Sequence, residues 1–83
     1  MNAEVKSAPR ISYLVASDVG SRDGIGLETY VDECCVMEIF RDDSERRTYM
    51  TVFAKDVDLA TVEASILMFK DSINENSMAH EHE

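Results

Sequence analysis

Only one stretch of this chain repeats its apolar residues at helical spacing. Leu59, Val62, Ile66, Phe69 and Ile73 are separated by 3, 4, 3 and 4 positions, which draws a single stripe along one helix. Such a stripe must be buried against something, and one helix covers one face of a sheet. Everything before it alternates with period two. Residues 11–16 set Ile11, Tyr13 and Val15 on one side, and residues 25–32 do the same with Ile25, Leu27, Thr29 and Val31. In residues 34–41, Cys35, Met37 and Ile39 oppose Cys34, Val36, Glu38 and Phe40; in residues 47–54, Tyr49, Thr51 and Phe53 oppose Thr48, Met50, Val52 and Ala54. These are strand patterns.

The connections are short: residues 17–24 with Gly20 and Gly24 as breakers, Asp32-Glu33 as a tight turn without glycine, and the polar residues 42–46. Short connections favour sequential strands pairing in order. The expected fold is therefore α+β, a four-stranded antiparallel β-meander with one C-terminal α-helix packed on one face. Leu27, Val31, Met37, Ile39, Met50 and Val52 suit the covered side. Asp58 precedes the first stripe residue, where its carboxylate can cap the first turn, and Asn74 or Asn76 can close the helix. A chain of 83 residues holds one domain. Residues 1–10 are expected to form a flexible N-terminus, 11–74 the domain, and 75–83 a disordered tail of acidic and histidine residues.

Charge narrows the function. Eight Lys and Arg stand against seventeen Asp and Glu, a formal net charge of −9. So acidic a surface repels phosphate backbones and anionic lipid, which argues against direct binding of nucleic acid or membrane and favours a basic protein partner. No run reaches the ~18 apolar residues of a membrane-spanning helix, and residues 1–10 lack the apolar core of a secretory signal, so a cytoplasmic location is expected.

One helix leaves the other sheet face open, and that face is not plainly polar. It carries Glu28 and Tyr30, then Val36, Glu38 and Phe40, then Tyr49, Thr51 and Phe53, with Asp42, Asp43 and Glu45 extending the acidic surface from the adjoining loop. Carboxylates among aromatics suit a protein interface, the rings supplying contact area and the charges selecting a cationic partner. The expected partner-binding residues are Glu28, Tyr30, Glu38, Phe40, Asp42, Asp43, Glu45, Tyr49 and Phe53. Two other assignments stay open. Both faces carry apolar residues and could be exchanged, or the open face could be where two copies of a homodimer meet.

Nothing in the sequence makes an enzyme, and no cofactor or metal is expected. His80 and His82 sit in the glutamate-rich tail without a rigid frame. Cys34 and Cys35 are adjacent, so in a strand they point to opposite faces and cannot easily bond to each other. Gly20, Gly24 and Gly26 fit no phosphate-binding loop, and residues 17–24 lack the spacing of a calcium loop.

The hairpin GLETYVDECCVMEIFRDD, the strand RTYMTVFA and the closing helix VDLATVEASILMFKDSI together resemble the small acidic immunity proteins of bacterial polymorphic toxin and contact-dependent growth inhibition systems. The resemblance covers residues 11–73 and rests on size, charge and architecture. It implies a non-catalytic inhibitor that binds a cognate toxin domain, often a cationic nuclease, and occludes it. Phage-encoded inhibitors of bacterial defence complexes share the same size and acidity, and a structural or regulatory homodimer is the other alternative.

Overall fold

In a computed structural model, the described residues are 8–18, 20 and 23–74. The expected histidine tail and most of the expected N-terminal segment lie outside them. Four strands, β1 (Ile11–Asp18), β2 (Gly24–Val31), β3 (Cys34–Asp42) and β4 (Arg47–Val52), form one antiparallel sheet in the order β1-β2-β3-β4. The helix α1 (Leu59–Phe69) follows and runs into a π-helical turn, Lys70–Asn74. This is the expected α+β meander with its C-terminal helix.

The first connection is shorter than the sequence suggests. Gly24 does not break the chain; it pairs with both Asp18 and Asp42. A Cβ placed there would land on the backbone carbonyl of Arg41, so only glycine lets β2 run this close to β3. The Asp32-Glu33 turn is as tight as expected, and both residues have positive φ, 51° and 72°. That is the backbone of a two-residue hairpin whose twist matches the strands, normally supplied by glycine. Asp32 is tied down by its amide donating to the Arg10 carbonyl and its carboxylate accepting from the Arg10 amide. Glu33 has only an exposed 3.7 Å pair with Arg10, a contact of small worth. Glu33→Gly should therefore stabilise the fold by about 0.5–1 kcal/mol, as relief of left-handed strain outweighs the added freedom of the unfolded chain. An unchanged or lower urea midpoint would contradict this.

The core lies between α1 and the middle of the sheet, where Leu27, Met37 and Ile39 meet Phe69 and Ile73. Sequence periodicity located the helix but not its rotation. Leu59, at the head of the expected stripe, is 68% exposed and Ile66 is also exposed, while Ser65 is completely buried. The small serine lets the helix approach the sheet. Its hydroxyl donates to the Thr61 carbonyl at 2.8 Å, so the single hydrogen between it and Thr29, also 2.8 Å away, comes from the Thr29 hydroxyl. Both buried hydroxyls are satisfied by this one chain of bonds. Ser65, Phe69 and Ile73 are four residues apart, a spacing that drifts about 40° per step around an α-helix. The underwound π-helical turn offsets that drift and returns Ile73 to the core. The expected side-chain cap is absent: Asp58 occupies the N-cap position, but its backbone carbonyl, not its carboxylate, accepts from Thr61 and Val62.

A further correction concerns β3. Tyr30 pairs with Cys35 and Thr29 with Met37, so Val36 is an extra residue, a β-bulge. The bulge breaks the alternation. Val36, expected on the open face, packs against the helix-side core, and Cys35 moves to the side of Glu28 and Tyr30.

Candidate protein-binding face

The face not covered by α1 is organised in rows across the strands. One row runs Leu14, Glu28, Glu38, Thr51; the next runs Ala16, Gly26, Phe40, Tyr49. The second row explains how a large ring is buried without a helix above it. Gly26 offers no side chain, and a Cβ there would sit 2.8 Å from the Phe40 ring and 3.2 Å from a Glu38 carboxylate oxygen. Phe40 therefore lies against bare backbone, stacks on Tyr49 with ring centroids 5.9 Å apart, and is only 1% exposed. Arg47 covers the Tyr49 ring in turn, its guanidinium carbon 4.6 Å from the centroid. Phe40 is thus the floor of this face.

The first row carries the charge. Glu28 and Glu38 face each other directly across β2 and β3, concentrating negative potential at one point of the sheet. The Tyr30 hydroxyl donates to Glu28 at 2.7 Å and fixes the orientation of that carboxylate. The same bond, followed by burial and the Glu28 charge, raises the Tyr30 phenol from 10.0 to about 12. The folded chain therefore keeps this proton between pH 10.0 and about 12, and the contribution to stability is complete below 10.0 and lost as the pH rises through 12. A phenolate absorbance titration should show one tyrosine ionising late, absent in Tyr30→Phe and shifted back toward 10.0 in Glu28→Gln. A late transition that survives Glu28→Gln unchanged would contradict the assignment.

The expected site residues are now distributed between two roles. Glu28, Tyr30 and Tyr49 are half-buried on the open face, and Asp43 and Glu45 are exposed at its end. Glu38 and Asp42 are 8% and 6% exposed. Asp42 caps the turn into β4, its Oδ1 accepting from the Ser44 amide, the Ser44 hydroxyl and the Glu45 amide at 3.1, 2.8 and 3.1 Å. Asp43 accepts from Arg41 Nε at 2.9 Å. Phe53 stands just beyond the end of β4, exposed, with its amide donating to the Val36 carbonyl. Leu14 was not anticipated, yet it is exposed beside Glu28 and adds an apolar contact to the row. Its signal was available, since in the alternation of β1 it opposes Tyr13 and Val15.

The two cysteines are free thiols, Cys34 exposed and Cys35 half-buried. Burial, then the charge of Glu28, pushes the Cys35 thiol up, so it stays protonated and is a weak nucleophile. Among the described residues, no group of three or more His, Cys, Asp or Glu is placed to hold a metal ion, and no helix is long and apolar enough to cross a membrane. Set against known protein families, curated proteins and solved structures, the chain matches none of them.

Proposed function

We propose that this protein is a non-catalytic inhibitor that binds a cationic protein through its uncovered sheet face and occludes it, as the toxin immunity proteins it resembles do. The observation that carries the reading is the Glu28–Tyr30 pair. A carboxylate is held in one orientation by a 2.7 Å hydrogen bond, on an inner strand of the sheet, on the face that α1 leaves open. Groups held in place before binding lose little entropy on association, and a carboxylate with Leu14 opposite it on β1 meets a lysine or arginine while that apolar neighbour helps to exclude water. Asp43 and Glu45, exposed at the end of the face, and the net charge of −9 steer a basic partner toward it. A cationic toxin nuclease is the simplest target. The activity inhibited would be the partner's.

The test begins with tagged chain recovered from its own cells and identification of the retained protein by mass spectrometry. The purified partner is then titrated with the native chain while its own activity is followed. The expected result is a basic protein whose activity falls to zero at stoichiometric ratio with the native chain, and persists with Glu28→Lys. A captured protein that is acidic, or whose activity is untouched at saturating complex, would overturn the proposal.

A further inference from the structure

The outer edge of β4 is distinct from the open face. β4 is the last strand of the sheet, and among the described residues only β3 pairs with it. The Phe53 amide bonds inward to the Val36 carbonyl. By the alternation of an antiparallel ladder, the amides and carbonyls of Thr48, Met50 and Val52 therefore point outward, away from β3. Proteins usually protect such an edge with charge, proline or a bulge. Residues 48–53, TYMTVF, contain none of these. Beside the edge, on the helix side, lies a largely apolar groove of about 390 Å³ whose lining includes Ile39, Met50, Ile66 and Phe69 together with Thr48 and Lys70. Met50, in its lining, is 47% exposed, and Val52, next along the same side of β4, is 44% exposed.

We infer that this edge is a homodimer interface, in which β4 of a second copy of this chain pairs antiparallel with β4 about a two-fold axis at Met50. The register follows from the outward groups. Centring the axis on Met50 sets Met50 opposite Met50, and Thr48 opposite Val52, so every outward amide and carbonyl of the three residues finds a mate. Centring it on Tyr49 leaves Val52 unmatched. The side chains agree with this register. Thr48, Met50 and Val52 share the helix face, so the two grooves meet across the axis and bury their exposed lips. On the other face Arg47 comes opposite Phe53 of the second copy, and along the paired strands no charged residue falls opposite a like charge.

The charge distribution points to a second copy as well. All seventeen carboxylates lie outside residues 46–55, which carry three cations, so the repulsion between two chains of net charge −9 is weakest at this edge. Beyond the strands, the same axis brings the Glu45 turn of one copy to the Lys55 end of the other. Pairing the two four-stranded sheets in this way keeps both uncovered faces on one side, so the dimer presents the acidic face twice.

The experiment is a cysteine cross-link in a Cys34→Ser/Cys35→Ser background, together with sedimentation of the native chain and of Met50→Lys. Opposed hydrogen-bonded residues have Cα atoms about 5.5 Å apart, within disulfide range. Under mild oxidation Met50→Cys should cross-link nearly completely and Leu14→Cys, whose strand forms the opposite edge, should not. The native chain should sediment at twice its 9.4 kDa mass, and Met50→Lys, folded by circular dichroism, at 9.4 kDa. A native chain that stays at 9.4 kDa from micromolar to millimolar concentration overturns the inference, as does cross-linking through Leu14→Cys in place of Met50→Cys.

Discussion

Phe69→Ala is expected to remove about 3–5 kcal/mol of stability, while Leu59→Ala changes it by no more than about 0.5 kcal/mol. Both residues belong to the same sequence stripe and both are large and apolar, so periodicity alone ranks them together. Their environments differ. Phe69 is 4% exposed and closes the core against Leu27, Met37 and Ile39, whereas Leu59 is 68% exposed at the first turn of the helix. Truncating Phe69 loses its transfer energy and leaves a cavity that surrounding side chains fill only in part. A fold of 83 residues has about 4–12 kcal/mol to lose, so this one change takes the chain to the margin of folding. Urea unfolding of both variants measures the contrast. Equal losses would mean that the helix is rotated to bury the stripe as the sequence draws it.

That contrast shows where sequence reasoning stops. The order of four strands and one helix was legible because period two and the 3-4-3-4 spacing are local signals, and short connections leave few topologies. The rotation of the helix was not, since the residue that settles it is Ser65, whose small size and bond to Thr29 matter only once helix and sheet meet. The Val36 bulge was equally hidden: it adds one residue to β3 without a glycine to mark it, yet it reverses the side on which Cys35 and Val36 fall. The candidate face was legible as a set of residues but not as a division of labour. Phe40 reads as an exposed aromatic until Gly26 is found opposite it, and Asp42 reads as loop charge until its carboxylate is found holding the turn into β4.

Glu28→Lys should weaken the complex with the cationic partner about 10- to 100-fold while leaving the fold intact. The substitution reverses a charge on a half-buried, strand-held side chain and removes the acceptor of the Tyr30 hydroxyl, so both the sign and the orientation of the site are lost. Glu28→Gln removes the charge but keeps an acceptor oxygen, and should fall between the two. Glu38 and Asp42 are poor probes despite their charge, because each is almost wholly buried and its replacement perturbs the sheet or the turn. Asp43 and Glu45 are the exposed counterparts; reversing them should slow association, and the effect should fade as salt rises, with little change in dissociation rate. Affinity unmoved by Glu28→Lys would remove the open face from the interface.

The most direct measurement is the footprint of the purified partner on isotope-labelled chain, read as amide chemical-shift changes on titration. Binding through the uncovered face predicts that the largest changes fall on Leu14, Glu28, Tyr30, Tyr49 and Thr51, with Leu59 and Leu67 on the outer side of the helix unchanged. A footprint centred on the helix, with the Glu28 row silent, would contradict the account.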